Sequence, residues 1–156
     1  MLGGAAAEDA AGRPARSLVP GVARGRLLGG NLTILSTMMG TGWLPDFDGA
    51  ILFLEDINEE PYRIDRMLQQ LSLAGVLGRL SGVIFGRCTS CATSDPDYEG
   101  FSLDEVLDTH LAPLNIPAFV GANIGHLANQ LSLPHGGEVE IDAAARTIRL
   151  LEPVVG

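Results

Sequence analysis

Short apolar runs that alternate with amphipathic segments constrain the fold of this chain more than any other feature. The runs are AILFL at 50–54, SGVIFGRC at 81–88 and IPAFVG at 116–121. Each is short enough to be a buried strand, and turn residues or acids stand beside it. Strands of this kind, separated by helices, are typical of a parallel sheet whose faces are covered by the helices.

Two segments between these runs have the periodicity of a helix. In the segment at 61–75, Pro61 suits the first helical turn, and one apolar stripe runs along the helix. The stripe consists of Ile64, Met67, Leu68 and Leu71. In the segment at 102–113, Ser102 and Glu105 have the spacing of a capping box. We therefore predict two amphipathic helices, each packed on the sheet.

The two ends of the chain complete the pattern. GRLLGGN predicts a short strand followed by a Gly-Gly turn, and NLTILSTMMG predicts a helix capped by Asn31 and closed by Gly40. EVEID and TIRLLE alternate as the two strands of a hairpin.

The predicted fold is an α/β domain at 18–156, with flanking helices and a mixed sheet that is parallel in the middle and antiparallel at one end. Residues 1–17 lack periodicity and are predicted to be a disordered tail or linker.

The charge of the chain argues against one class of function, the binding of nucleic acid. The net charge is −9, and all ten basic residues are arginine. Nucleic-acid binding needs a basic surface, so we expect none. No apolar run reaches the ~18 to 20 residues of a membrane span, and the N-terminal segment lacks the apolar core of a signal peptide. We therefore expect a cytoplasmic protein that does not bind a membrane.

Ionisable side chains follow two of the predicted strands. Glu55 and Asp56 come directly after ILFL, and His126 follows the third strand on a loop that contains Gly121 and Gly125. Ligands of α/β proteins bind at the carboxyl ends of strands, so a carboxylate and an imidazole would meet there as an acid–base pair. Two structural alternatives stay open. The acids would only begin a loop that caps the next helix, and the histidine would be structural.

Two other histidines and the two cysteines are weaker candidates for a functional role. His110 lies near a helix end, where a cation suits the dipole, and His135 lies in a Pro-Gly turn and is expected to be solvated. Cys88 and Cys91 form a C-x-x-C pair, which is found in redox sites and in zinc sites. The chain has no second pair of zinc ligands, and the pair does not open a helix. We therefore expect two free thiols, and a thiol redox module built on this pair stays open as the alternative.

Four blocks of this sequence resemble the C-terminal half of the LD-carboxypeptidase family. They are GRLLGGNLTIL, DGAILFLEDINEEPYRIDRMLQQL, GVIFGRC and GHLANQLSLPHGGEVEID, and the resemblance extends from about residue 18 to residue 153. The family includes the muramoyltetrapeptide carboxypeptidases of peptidoglycan recycling and the microcin C immunity proteins. The resemblance implies the swivelling β/β/α domain of these enzymes, no metal or cofactor, and commonly a dimer.

The resemblance also implies a Ser–His–Glu triad in a serine peptidase. Glu55 matches the family's glutamate and His126 its histidine. Family members release the terminal D-alanine from the cytoplasmic murein tetrapeptide. The nucleophilic serine of the family lies in an N-terminal Rossmann-like domain that these 156 residues do not include. The serines present, which are poor substitutes for it, include Ser36, Ser72, Ser94 and Ser132.

Three interpretations follow for this chain. It is expected to be the C-terminal domain of an LD-carboxypeptidase, inactive alone because the serine domain is missing. The alternatives are a microcin-immunity-type amide hydrolase with the same triad, and a non-catalytic binding or oligomerisation module. A surface that normally packs against a partner domain would favour a homo-oligomer. Arg63 and Arg66 would either pair with nearby acids or bind carboxylates of the substrate.

Overall fold

The computed structural model describes residues 14–93, 95 and 97–153 of this protein. Within these ranges the helices are Leu32–Thr37 (α1), Pro61–Leu73 (α2) and Leu103–Leu111 (α3). The strands are Arg16–Val19 (β1), Val22–Asn31 (β2), Ile51–Ile57 (β3), Gly82–Thr89 (β4), Ala118–Val120 (β5), Glu138–Asp142 (β6) and Thr147–Leu150 (β7). None of the helices in the described ranges is long and apolar enough to cross a membrane.

The strands form one sheet in the order β1-β5-β4-β3-β2-β6-β7. Strands β2, β3, β4 and β5 run parallel to one another, whereas β1 is antiparallel to β5, β6 to β2, and β7 to β6. The predicted α/β class, with a parallel centre and an antiparallel hairpin at one end, is confirmed. The antiparallel strand β1 at the opposite edge was not predicted.

The structure corrects two boundaries of the sequence analysis. The first strand begins at Arg16, two residues inside the predicted tail, because Arg16 pairs with Val120 in the sheet. Residues 1–13 of that predicted tail lie outside the described residues. The predicted Gly-Gly turn was wrong, since Gly29 and Gly30 continue β2 beside β3. A Cβ on Gly29 would lie 1.8 Å from the carbonyl oxygen of Phe53. Glycine at this position therefore allows the two strands to lie close together.

Both faces of the central strands are buried. Leu52 and Leu54 of β3 belong to a core that includes buried apolar residues from each of the three helices. Ile51 and Phe53 belong to a second core, together with the β6–β7 hairpin and Ile124. Successive side chains of a strand point to opposite faces. The sheet therefore has a helical layer on one face. It curls so that the β6–β7 hairpin at its end packs, together with the segment after β5, against the other face.

Candidate active site

Strand β3 continues through the two acids that follow its apolar run. The predicted strand ended at residue 54, but the observed strand extends to Ile57, so Glu55 and Asp56 are ladder residues rather than the start of a loop. Glu55 is paired with Asn31 of β2, and Asp56 with Cys88 of β4. Both side chains are buried. Consecutive positions in one strand direct them to opposite faces of the sheet.

Asp56 anchors helix α1 on the helical face. Its carboxylate accepts hydrogen bonds from Thr33 N and Thr33 Oγ1, both at 2.9 Å, and from Asn31 Nδ2 at 3.0 Å. The backbone N–H of Ile57 donates a fourth bond at 2.9 Å. These donors compensate for the burial of a charge at the helix N-terminus. Asp56 is thus a structural residue, and it binds the helix before β3 rather than the helix after it.

The segment after β5 follows the end of β4 through backbone hydrogen bonds. Gly121 N donates to Phe85 O at 2.8 Å, and Arg87 N donates to Ile124 O at 2.8 Å. The Thr89 hydroxyl then donates to the carbonyl oxygen of His126 at 3.2 Å. We call residues 121–131 the His126 loop. Its contacts with β4 place His126 beside the carboxyl end of β3.

Glycines allow this loop to lie against the sheet. Gly125 has a φ of +121°, and a Cβ there would lie 2.8 Å from Oε2 of Glu55. Gly86 of β4 faces the same loop, and a Cβ on it would lie 2.4 Å from Ile124 O. Glycine at position 125 therefore permits a close approach of the loop backbone to another group. The group it approaches in this chain is the Glu55 carboxylate.

His126 and Glu55 are in direct contact. Nδ1 of His126 lies 2.8 Å from Oε2 of Glu55. The glutamate side chain is 10% exposed and the histidine side chain 51% exposed, so a buried carboxylate holds an accessible ring. An ionised carboxylate only accepts hydrogen bonds, so Nδ1 carries the hydrogen of this contact. In the neutral ring, Nε2 is then left as an acceptor of protons.

The pair lies in an open groove of about 650 Å³. Gly30 and Phe53 form part of one wall, and the opposite wall comes from the His126 loop and Leu133. Apart from the pair, most of these side chains are apolar. The arrangement offers a general base at the edge of an apolar groove that has room for a ligand.

None of the described serines hydrogen-bonds to His126. Ser36 is buried in α1 and its hydroxyl donates to Thr33 O at 2.8 Å. Ser72 lies in α2, on the helical side of the sheet, and Ser132 follows the His126 loop. Ser94 lies outside the described residues. Within the described residues, the His126–Glu55 pair therefore has no serine hydroxyl hydrogen-bonded to the His126 ring.

The other two histidines have different surroundings. His110 Nε2 lies 2.7 Å from Asp65 Oδ1, a contact between α3 and α2 that the sequence did not predict. Its side chain is almost buried, which indicates a structural role. His135 is exposed, as expected, and its ring meets the edge of Phe53 with a centroid distance of 6.1 Å.

Arg63 and Arg66 lie on the exposed side of α2. The Arg63 guanidinium is 3.7 Å from the Glu59 carboxylate, and both arginines lie over the ring of Tyr62. These local contacts agree with the expectation that Arg63 pairs with a nearby acid. Neither arginine lines the groove that holds His126.

A disulfide joins Cys88 and Cys91, so the expectation of two free thiols was wrong. The chain makes a tight turn after β4, with Ser90 in the left-handed region at a φ of +56°. This turn brings the two Cα atoms to 5.3 Å, within the usual range for a disulfide. The sequence analysis looked for a helix after the first cysteine, but a turn brings the pair together equally well.

These features define the class of the protein. A sequence model of the LD-carboxypeptidase C-terminal domain matches residues 24–141, and the chain belongs to the LD-carboxypeptidase family. A Synechocystis protein with the name of a carboxypeptidase is 40% identical over 131 residues, which cover 84% of this chain and 43% of the relative. A Bacillus subtilis protein named as a murein peptide carboxypeptidase is 38% identical over 134 residues, which cover 86% of this chain and 42% of the relative.

One further relative and two solved structures are also similar to this chain. The microcin C7 self-immunity protein of Escherichia coli is 35% identical over 136 residues, covering 85% of this chain and 38% of its own. The muramoyltetrapeptide carboxypeptidase of Oxalobacter formigenes superposes with a TM-score of 0.75 at 35% identity, over 87% of this chain and 48% of that one. A structure of the microcin C7 self-immunity protein also superposes with a TM-score of 0.75, at 28% identity. The superposition covers 91% of this chain and 42% of that one. The chain thus spans less than half the length of these proteins.

Proposed function

We propose that this chain is the C-terminal domain of a serine-type LD-carboxypeptidase that releases the terminal D-alanine from the cytoplasmic murein tetrapeptide in peptidoglycan recycling. In this proposal His126 is the general base and Glu55 the residue that orients it. The observation that carries the proposal is the 2.8 Å contact between Nδ1 of His126 and the buried Glu55 carboxylate, at the edge of an open groove. The murein peptide carboxypeptidase name of the Bacillus subtilis relative supports the choice of substrate.

The proposed mechanism assigns one role to each member of the pair. Nε2 of His126 takes the proton of a serine hydroxyl as that oxygen attacks the amide carbonyl. The imidazolium then protonates the leaving amine of D-alanine, and water hydrolyses the acyl-enzyme through the same base. Glu55 holds the ring in the required tautomer and stabilises its positive charge. Its burial strengthens this interaction, because charges attract more strongly away from bulk water.

The serine in this proposal comes from outside the described residues. We assign it to an N-terminal Rossmann-like domain of the kind that the family resemblance implies. That domain would close one side of the groove and present its hydroxyl to Nε2 of His126. The isolated chain would then bind peptide weakly and show no turnover.

A microcin-immunity-type amide hydrolase is the second candidate. The likeness to the Escherichia coli self-immunity protein favours it, and a structure of that protein holds glutamyl sulfamoyl guanosine. The His126–Glu55 pair would act in the same way on a peptidyl-nucleotide amide. The two candidates differ in substrate alone, so a comparison of substrates distinguishes them.

A chimera tests the proposal. The N-terminal half of the Bacillus subtilis relative is joined to this chain, and release of D-alanine from murein tetrapeptide is measured beside hydrolysis of an aminoacyl sulfamoyl adenosine. We expect D-alanine release by the chimera and none by the isolated chain. Preferred hydrolysis of the nucleotide analogue would select the second candidate.

Variants of the chimera supply the controls. His126→Ala should abolish turnover, whereas His135→Ala, at an exposed position outside the pair, should leave it near the parent rate. A chimera that folds, binds the tetrapeptide and cleaves neither substrate would leave the non-catalytic binding module as the better description.

A further inference from the structure

The Cys88–Cys91 disulfide lies next to the His126 loop, and the proposed mechanism does not use it. It spans the end of β4, so that Thr89 lies between the two cysteines. Thr89 O accepts a hydrogen bond from Asn58 N at 2.9 Å, and the Thr89 hydroxyl donates to His126 O at 3.2 Å. The disulfide ring therefore contains the residue that links the sheet to the proposed base.

Thr89 has a direct effect on His126. Within the described part of the chain, its hydroxyl is the group that hydrogen-bonds the backbone of His126 itself. The neighbouring bond from Arg87 N acts two residues earlier, on Ile124. The direction of the half-exposed ring then depends on its contact with Glu55 and on the Thr89 hydroxyl. Thr89 is a positioning residue in this sense.

The turn that holds Thr89 depends on the disulfide. Ser90 is a non-glycine residue in the left-handed region, which is unfavourable for an L-amino acid. The hydrogen bond that closes the turn, from Cys91 N to Cys88 O, is long at 3.4 Å. Once the disulfide opens, Ser90 is free to leave this conformation. Thr89 keeps its pairing with Ile57 at the end of β4, but it loses the constraint that the disulfide ring places on its carboxyl side. The ring closes only four residues, so its loss should leave the overall fold intact.

Both cysteines border surface cavities. Cys88 lines a cavity of about 200 Å³ together with Arg16, Arg87 and Asp104. Cys91 lines another of about 290 Å³ on the far side of the turn. Positive charge favours the thiolate, the form that reacts in thiol–disulfide exchange. Here Asp104 and Asp108 are both ion-paired with Arg16 and offset its charge. Cys91 is buried and Cys88 is partly exposed, so a small thiol or disulfide would approach the pair from the cavity beside Cys88.

We propose that Cys88 and Cys91 form a reversible thiol–disulfide site that regulates His126 through Thr89. The oxidised form holds Thr89 against the His126 loop, and the reduced form releases it. The effect on catalysis rests on the proposed function, whereas the redox site and its effect on the His126 ring do not. The partner is a low-molecular-weight thiol in the reducing direction and its disulfide in the oxidising direction.

The exchange is balanced in both directions. In oxidation, one cysteine thiolate attacks a sulfur of the small disulfide, which forms a mixed disulfide and expels one small thiolate. The second cysteine thiolate attacks the protein sulfur of the mixed disulfide and expels the second. Two electrons pass from the cysteines to the small disulfide, which leaves as two thiols. Reduction reverses these steps.

Redox titration of the isolated chain tests the site. The chain is equilibrated with mixtures of reduced and oxidised glutathione, quenched with an alkylating agent and analysed by mass spectrometry; these two cysteines are the only ones present. We expect conversion between dithiol and disulfide with the dependence of a two-electron couple. Alkylation of both thiols at every ratio would overturn the proposal, as would a disulfide that excess dithiothreitol leaves intact in the folded chain.

The imidazole signals of the three histidines test the link to His126 without any need for activity. Reduction should shift the Hε1 signal of His126 and leave that of His110 unchanged. Thr89→Val should shift the same signal in the oxidised chain and remove its response to reduction. Thr109→Val is the matched control, because the Thr109 hydroxyl bonds Glu105 O within α3. Identical His126 signals in the oxidised and reduced wild-type chain would overturn the link.

Kinetics of the chimera then separate regulation from the proposed function. We expect reduction to lower kcat roughly ten-fold with KM unchanged, since the base moves while the groove persists. A chimera with Cys88→Ser and Cys91→Ser should have the low kcat under both conditions. An unchanged kcat in an active, reduced chimera would overturn the regulation. An inactive chimera whose His126 signal still responds to reduction would count against the proposed function and support the redox site.

Discussion

Glu55 and Asp56 are consecutive residues of β3 whose carboxylates bind groups on opposite faces of the sheet. Glu55 contacts Nδ1 of His126, and Asp56 accepts hydrogen bonds from Asn31 and Thr33 at the start of α1. One acid thus belongs to the candidate active site and its neighbour to the support of a helix. Substitutions at the two positions should have opposite profiles in activity and stability.

Glu55→Gln should reduce catalysis far more than stability. The amide keeps a similar shape but has no negative charge to stabilise the imidazolium, and it does not enforce the tautomer of His126. We expect kcat of the chimera to fall by about 10² to 10⁴. The measurement is D-alanine release, with the melting temperature as a check on folding. Retention of the parent kcat would remove Glu55 from the proposed mechanism.

Asp56→Ala should destabilise the chain. The substitution leaves the partly buried donors of Asn31 and Thr33 without their acceptor, and we expect a loss of about 1 to 3 kcal/mol. Urea unfolding of the isolated chain measures it. Asp65→Ala, which removes a partner of His110 on a half-exposed site, should cost less. Equal losses for the two variants would contradict the anchoring role of Asp56.

Gly125→Ala should move His126 away from Glu55. The new Cβ would lie 2.8 Å from Oε2 of Glu55, and the φ of +121° is unfavourable for alanine. Gly136→Ala is the matched control, since Gly136 has a φ of +84° but no atom within 4 Å of the added Cβ. Both variants should lose about 1 kcal/mol or more to backbone strain. Only Gly125→Ala should also shift the His126 ring signal in NMR spectra.

Glu140 should contribute stability that depends on pH. Hydrogen bonds from Arg24 and then Arg149 lower the pKa of Glu140 from its ordinary value of 4.5. A lowered pKa in the folded state means that this stability is present above pH 4.5 and is lost as the pH falls through the folded-state pKa. Glu140→Gln should therefore be less stable than the wild type at pH 7, and the difference should shrink at pH 3. Urea unfolding at both pH values measures this, and a constant difference would contradict it.

Self-association of the isolated chain should involve the surface around Trp43. The indole is 83% exposed, and Ile34 of α1 is exposed as well. Exposed apolar groups of this size favour contact with a partner or a second copy. We expect a homo-oligomer by size-exclusion chromatography, and a blue shift of the fluorescence of this single tryptophan as concentration rises. Trp43→Arg should favour the monomer, whereas Leu73→Arg, at another exposed site, should not. A monomer at high concentration would contradict this prediction.

Much of the fold could be predicted because local patterns agree with the final packing. The helix caps at Asn31 and Ser102, the apolar stripe of α2 and the alternation in the final hairpin depend on residues close in sequence. Features that depend on distant backbone were missed. The Gly29–Gly30 pair was predicted to be a turn, but it continues β2, and the carbonyl of Phe53 occupies the space that a Cβ on Gly29 would need. The disulfide depended on a turn with Ser90 in the left-handed region, which sequence propensity disfavours.

The sequence by itself determined the alternation of buried strands and amphipathic helices, and it placed Glu55 and His126 near strand ends as candidates for one site. The family resemblance matched Glu55 to the glutamate of the triad, but only the tertiary structure showed why Glu55 meets the histidine while Asp56 faces the other side of the sheet. In a strand, the face of each side chain follows from where the strand continues, and β3 continues to Ile57 because it pairs with β2 and β4. Those pairings join residues that are far apart in the chain. The contact between Glu55 and His126 is therefore a property of the assembled sheet.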